Sequence, residues 1–259
     1  MQGVERFNLE GKRILVTGAG RGIGRALVKA LYNLKADVYA LSLTKENLDS
    51  LRVECPGIHT VCVDLRDWEK TKEALSQITE SMDGLVNNAG ILIPAPIGLF
   101  AITPEDCDTH FDLNVKAVIN VSQQIAQKMI KSGRGGSIVN LSSAASKVHT
   151  PIAVSYAICK GALDVLTKNM ACELGANKIR VNSVNPFFVD ETHSLEKLVT
   201  ALPIEMMEKI TENVCQRCPM GRSAIEVRDV LNAILFLLSD SSRYINGQNL
   251  MVDGGFTIA

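Results

Sequence analysis

A doubly wound, mostly parallel α/β sheet with helices on both faces is the fold class this sequence predicts. Short apolar, β-branched runs without polar alternation read as strands buried on both sides. Longer segments of helical period separate them, which is the signature of parallel strands joined by helical crossovers. No internal repeat, low-complexity tract or linker interrupts the 259 residues, so one domain spanning 1–259 is expected.

RILVT (13–17) reads as a short buried strand and GIGRALVKALYNL (22–34) as the helix after it. DVYALS (37–42) and HTVCVD (59–64) are further strands, separated by the helical TKENLDSLRVE (44–54). WEKTKEALSQI (68–78) is amphipathic, and GLVNNAG (84–90) is a strand leaving through a glycine turn. A long helical stretch from Pro104 to about Lys131 precedes the strand GSIVNLSS (136–143). The helix containing Tyr156 leads into the strand KIRVNSVNP (178–186). VRDVLNAILFLLS (227–239) is the last long helix and NLMVD (249–253) the last strand. The stretch 187–223 is long, weakly patterned and only partly helical. Insertions at the carboxyl ends of parallel strands often line or cover a site.

With 46% hydrophobic residues the chain can bury a large core. A formal charge of −1 gives no basic footprint for nucleic acid and no pull toward anionic membranes. The longest apolar run, AILFLL (233–238), is far short of a membrane span, and the N-terminal MQGVERFNLEGKR has no apolar core of a signal peptide. The seven cysteines are odd in number and scattered through regular segments. That pattern suits free thiols in a reducing, cytoplasmic setting better than a disulfide framework. Cys215 and Cys218 form a lone CxxC, read as small hydrophobes before a redox or metal pair. No metal is expected.

The first strand runs into TGAGRGIG (17–24), which opens the first helix. Gly18, Gly22 and Gly24, with Ile23 between the last two, allow a tight turn, and the helix N-terminus offers free N–H groups to a pyrophosphate. The end of the second strand selects the cofactor. An acidic residue there binds a free ribose 2′-hydroxyl, whereas an arginine accepts a 2′-phosphate. Ser42 and Leu43 match neither pattern, and nothing at the tip repels a phosphate. Arg21 supplies a positive partner, with Lys45 a weaker candidate, so NADP(H) is favoured over NAD(H). A merely solvated Arg21 stays open.

Tyr156 and Lys160, in SYAICK (155–160), are four residues apart and share one helical face. Taken alone they read as an ordinary aromatic–lysine surface pair. Their company changes that. TGAGRGIG, Asp64-Leu65, NNAG (87–90), Asn114, Ser143, YAICK and VDGG (252–255) occur in one order. With these motifs the chain resembles the short-chain dehydrogenase/reductase family over essentially its whole length. ECPGIHTVCVDLRDW, KGALDVLTKNMACELG and NAILFLLSD add a likeness to dicarbonyl/L-xylulose reductases and related tetrameric carbonyl reductases.

The resemblance implies a Rossmann-type fold, a homotetramer built through long helices and the C-terminal strand, and reduction of a small-molecule carbonyl. It implies Tyr156 as proton donor, with Lys160 and the oxidised nicotinamide lowering its pKa from about 10. Lys160 would also hold the nicotinamide ribose. Ser143, at the family's spacing from Tyr156, is chosen over Ser142 to hold the carbonyl oxygen. Asn114 would hold a water linking Lys160 to solvent, though a locally satisfied polar helix residue stays open. Asp64 and Leu65 would frame the adenine, with Asn88, Ala89 and Gly90 on the adenosine side; Asp64 as a helix cap stays open. VDGG reads as a tight turn shaping the subunit contact.

Three places depart from the family pattern. Phe187 replaces a glycine after Asn185-Pro186, and Glu191 stands at a threonine register with Thr192 one residue late. Val189 is the expected backbone contact to the nicotinamide amide. Ala144 and Ala153 replace the polar amide and histidine of sugar-reducing relatives, leaving His149 as a substitute. Leu43 stands where those relatives carry an arginine. The expected activity is NADPH-dependent reduction of small ketones, with L-xylulose and α-dicarbonyls the nearest classes. The alternatives are an NAD-dependent alcohol or polyol dehydrogenase and a non-catalytic cofactor-binding protein.

Overall fold

Seven apolar runs become seven strands of one sheet: β1 (Arg13–Thr17), β2 (Asp37–Ser42), β3 (His59–Cys62), β4 (Gly84–Asn87), β5 (Gly136–Leu141), β6 (Ile179–Pro186) and β7 (Asn249–Val252). The computed structural model describes residues 7–94, 98–190, 192, 200 and 202–259. The strand order is β3-β2-β1-β4-β5-β6-β7, and every pairing is parallel rather than most of them. The order reverses between β1 and β4. That switch opens a crevice at the carboxyl ends of these two strands, where ligands bind in such sheets.

Period-two alternation sorts each strand between two cores. On one face Ile14 and Val16 pack with α1 (Gly22–Asn33), α2 (Lys45–Glu54) and the C-terminal helix Val227–Leu238. On the other, Leu15, Leu85 and Ile138 meet α3 (Trp68–Ser76) and α5 (Ala117–Ser132). The catalytic candidates Tyr156 and Lys160 lie on α6 (Val154–Leu174), which adds Ala171 and Leu174 to this second core.

The stretch expected as one helix from Pro104 to Lys131 is three pieces. α4 (Pro104–Phe111) begins at a capping box between Thr103 and Asp106, a π-turn covers Asp112–Lys116, and α5 follows. Asn114 sits in that π-turn, and such turns often mark functional positions. The weakly patterned 187–223 contains α7 (Ile204–Arg217), and α8 is Val227–Leu238. Glu191 lies outside the described residues. All seven cysteines are free thiols. Cys215 is exposed, whereas Cys218 is buried with its Sγ 3.5 Å from the Gly254 carbonyl. VDGG does form a tight turn: Gly254 and Gly255 have φ of 60° and 86°, a conformation that favours glycine. Among the described residues no helix is long and apolar enough to cross a membrane.

Leu85 is wholly buried at the centre of the sheet. Leu85→Ala should cost about 2–5 kcal/mol, read as a lower urea midpoint at unchanged slope.

Candidate active site

A cleft of about 780 Å³ runs along the carboxyl edge of the sheet. Its first wall is the glycine turn. Gly18 and Gly22 have φ of 66° and 54°, and a Cβ on Gly24 would lie 2.3 Å from the Gly18 carbonyl oxygen. These residues let the chain fold back onto the start of α1. Arg21, the N-cap of α1, is extended and offers no side-chain cap, and the first turn has no acidic residue. The helix therefore begins with uncapped N–H groups beside the cleft, a donor set that fits a pyrophosphate. Gly18, Arg21, Gly22 and Ile23 line the cleft; Gly24 shapes the turn from behind.

Asn88 braces that turn as well as lining the cleft. Its Nδ2 donates to the carbonyls of Thr17 and Gly18, at 2.9 and 3.2 Å. The backbone N–H groups of Asn88 and Ala89 both donate to the Thr17 hydroxyl at 3.0 Å. Gly90 lines the cleft too, and a Cβ there would stand 2.8 Å from Asn114 Oδ1.

At the tip of β2, Ser42 packs under the turn, since a Cβ on Gly20 would meet its hydroxyl at 2.6 Å. Leu43 is 60% exposed and lines the cleft. Lys45 is not part of the lining. Arg25 is committed elsewhere, to Glu54, Ser50 and two backbone carbonyls. Arg21 lines the cleft at this end, and no described carboxylate pairs it. Asp64 grips Arg66 through both carboxylate oxygens, at 2.6–3.1 Å, and those hydrogen bonds hold its pKa below the usual carboxylate range. Asp67, not Asp64, caps α3 by accepting from the Lys70 N–H. Leu65 is buried beside it at the cleft wall.

Ser143, Tyr156 and Lys160 come together at the cleft floor. Ser143 leaves the end of β5; its hydroxyl accepts from the Ala145 N–H at 3.1 Å, lies 3.5 Å from the Pro186 carbonyl and shares the cleft floor with Tyr156. The neighbouring Ser142 hydroxyl donates to the Lys160 carbonyl instead, which separates the two serines by role. The Lys160 ammonium is 4% exposed, donates to the Leu141 carbonyl at 2.6 Å and lies 5.3 Å from the Tyr156 ring centre. Asn114 spends its amide on Ile91, accepting from the N–H at 3.0 Å and donating to the carbonyl at 2.9 Å.

In the protein alone, burial pushes the Tyr156 pKa up to about 12, and the nearby Ser143 hydroxyl only partly opposes this. Burial likewise pushes Lys160 down to about 8. The ammonium sits over the ring rather than at the hydroxyl, so its effect on the phenol is small. Tuning Tyr156 into a useful acid takes positive charge brought from outside the chain.

The rest of the cleft is mostly apolar. Leu92, Ile152 and Ala153 form a cluster against which Tyr156, Phe188, Leu202 and Ile210 pack. Ala144 is buried behind the wall, so Ala145 takes the lining position after Ser143. His149 is exposed at the rim and reaches no polar partner among the described residues. Phe187 stacks against Phe188 and Phe256, with centroids at 4.5 and 4.2 Å, and replaces glycine's freedom with an aromatic anchor. Val189 is buried in the wall, and its carbonyl accepts from the Thr192 hydroxyl at 2.8 Å. α7 closes the far side with Met206, Lys209, Ile210, Asn213, Val214 and Arg217. These were not singled out from sequence, although their spacing of three and four marks one helical face. Arg217 lies over the Phe256 ring, 4.6 Å from its centre. Among the described residues, no group of His, Cys, Asp or Glu is placed to hold a metal.

Comparison with known proteins agrees with this geometry. A family model described as Enoyl-(Acyl carrier protein) reductase matches residues 18–257. The chain is 48% identical over 250 residues to L-xylulose reductase of Mus musculus, covering 96% of this chain and 98% of that one. It is 47% identical over 251 residues to carbonyl reductase [NADPH] 2 of Sus scrofa, covering 97% and 98%. Among solved structures, a gluconate 5-dehydrogenase from Burkholderia cenocepacia in complex with NADP and tartrate superposes with a TM-score of 0.88 at 34% identity, covering 98% of each chain.

The buried Lys160 has a testable signature. Its folded pKa is depressed, so the unfolded chain binds the extra proton between about pH 8 and its ordinary 10.5. Lys160 therefore costs stability below pH 8, and the cost fades as pH rises through that window. Lys160→Met should be more stable than the native protein at pH 7, by urea denaturation without added ligand. That advantage should shrink steadily toward pH 10.5.

Proposed function

The chain belongs to the short-chain dehydrogenase/reductase family and is an oxidoreductase acting on CH–OH/C=O, and from that premise we propose an NADPH-dependent reductase of small carbonyl compounds. The observation that carries the proposal is Ser143, Tyr156 and Lys160 gathered on the floor of one cleft whose other end is the uncapped glycine turn. α-Dicarbonyls and L-xylulose are the nearest substrate classes, in keeping with the names of the relatives above.

In this reading the glycine turn and the α1 N-terminus bind a pyrophosphate, and Arg21 binds the 2′-phosphate. Ser42, Asp64, Leu65, Asn88, Ala89 and Gly90 frame the adenosine half, and Val189 meets the nicotinamide amide. When bound, NADPH supplies the hydride and afterwards a positive charge near Tyr156. Ser143 holds the substrate oxygen and Tyr156 gives it a proton, so the carbonyl gains one hydride and one proton and leaves as an alcohol. Lys160, anchored by the Leu141 carbonyl, holds the nicotinamide ribose. Asn114 fixes the 88–91 segment against Lys160. The apolar floor around Ile152 and Ala153 suits a compact diketone better than a polyhydroxylated chain, whose hydroxyls would lack partners there.

Leu43 is the observation that favours the second reading, an NAD-dependent dehydrogenase. It offers a 2′-phosphate no charge, which leaves Arg21 to decide. We also propose one domain and a homotetramer. Ile158 and Val165 on α6, Phe111 on α4 and Leu250 on β7 are large apolar side chains exposed on the elements through which tetrameric relatives associate.

Tyr156→Phe should abolish reduction of diacetyl while leaving NADPH affinity within about threefold; near-native turnover would disprove the mechanism. Arg21→Ala should raise the KM for NADPH about tenfold or more and leave that for NADH unchanged. Rates with both cofactors on diacetyl and L-xylulose, and the mass in solution by light scattering, test the remaining assignments.

A further inference from the structure

We infer that Asp164 is a positioning residue for the reaction, fixing the turn that carries Ser143 to the helix that carries Tyr156 and Lys160. Asp164 lies on α6 four residues beyond Lys160 and eight beyond Tyr156, hence on the same helical face. Its side chain is only 4% exposed. A carboxylate buried this deeply is costly unless its oxygens are fully hydrogen-bonded.

They are. Oδ2 accepts from the Ser146 hydroxyl at 2.7 Å and from the Lys147 ammonium at 2.9 Å. Oδ1 accepts from Asn185 Nδ2 at 2.9 Å. The same Asn185 amide lies 3.4 Å from the Ser143 carbonyl and 3.3 Å from the Ser146 hydroxyl. Burial pushes the Asp164 pKa up, but the bonds from Lys147, Asn185 and Ser146 win and hold it below the usual carboxylate range.

Three elements meet at this one carboxylate: α6, the end of β6 through Asn185, and the single 3-10 turn Ala144–Ser146. That turn is the weak element. It has one buried residue, Ala144, and no extended packing face of its own. The Ser143 hydroxyl at its N-cap bonds to the Ala145 N–H and, at 3.5 Å, to the Pro186 carbonyl. It must nonetheless stay beside Tyr156 on the cleft floor, so the rest of the turn has to be held from outside it. Ser146 and Lys147 are held by Asp164 directly, and the Ser143 carbonyl through Asn185. The wall residues Ala145, Val148 and His149 belong to the same segment. The arrangement acts on chemistry through Ser143 and leaves the glycine turn, at the other end of the cleft, untouched.

The test compares Asp164→Asn, Ser146→Ala and Ser146→Thr with the native enzyme, reading kcat on diacetyl, KM, NADPH affinity by fluorescence and melting temperature. Asp164→Asn should lower kcat about tenfold or more with NADPH affinity within about threefold, a split that general loosening of the fold would not give. A kcat within twofold of native, or parallel loss of NADPH binding, would overturn the assignment. Should Asp164→Asn not fold, the serine pair decides. Ser146→Ala should lose several-fold in kcat and Ser146→Thr, which keeps the hydroxyl, should regain it; equal rates in both count against Asp164. The inference rests on carbonyl reduction at this site, and a native enzyme that turns over no carbonyl would count against that reading alone. A crystal structure of a folded variant then settles Asp164 without turnover. The turn should shift so that Ser143 Oγ moves by about 1 Å or more relative to the Tyr156 hydroxyl of the native enzyme, and an undisturbed turn would refute the role.

Discussion

Parallel pairing throughout the sheet is the constraint on which the rest of this molecule depends. Because all seven strands point the same way, their carboxyl ends share one edge. The glycine turn after β1, Ser42 on β2, Asp64 beyond β3, Asn88–Gly90 after β4, Ser143 after β5 and Phe187–Val189 after β6 all emerge there. Residues more than 150 positions apart become neighbours through backbone hydrogen bonding alone. The cores beneath that edge are sorted by the two-residue period of the strands, which leaves the loops to be shaped by polar contacts.

Burial sets the energetics at the floor of the cleft. It raises Tyr156 and depresses Lys160, so each is pushed toward its neutral form when only protein surrounds it. A phenol held well above neutral pH remains a proton donor but a reluctant one. The positive charge that would make it a better donor arises with hydride transfer in the proposed mechanism. Acid strength would then appear as the reaction calls for it. Lys160 is kept in place meanwhile by the Leu141 carbonyl rather than by Tyr156.

The cleft's outer half has a different character. Aromatic packing of Phe187, Phe188 and Phe256 replaces the flexible glycine of the family pattern, and α7 lays one amphipathic face along the opening. The reactive groups thus sit between a rigid polar network around Asp164 and an apolar wall. Such a site offers few partners to the hydroxyls of a sugar-like substrate.

Strand and helix periods, TGAGRGIG and the order of Asn114, Ser143, Tyr156 and Lys160 were legible in the sequence because each is a local pattern or a fixed spacing. They determined the fold class and the family and pointed to the candidate reacting groups. Tertiary structure alone decided the rest. The π-turn at Asn114 interrupts what reads as continuous helical period, and its amide's commitment to Ile91 depends on a segment 23 residues away. Ala144 and Ala145 exchange burial and lining because a 3-10 turn, not a strand, follows Ser143. Burial raises the Tyr156 pKa in the protein alone because desolvation depends on everything packed around a group, whereas a spacing of four reports only one neighbour. Asp164 reads in the sequence as one more polar residue on a helix. Only the meeting of α6, β6 and the Ser143 turn makes it the acceptor that all three share.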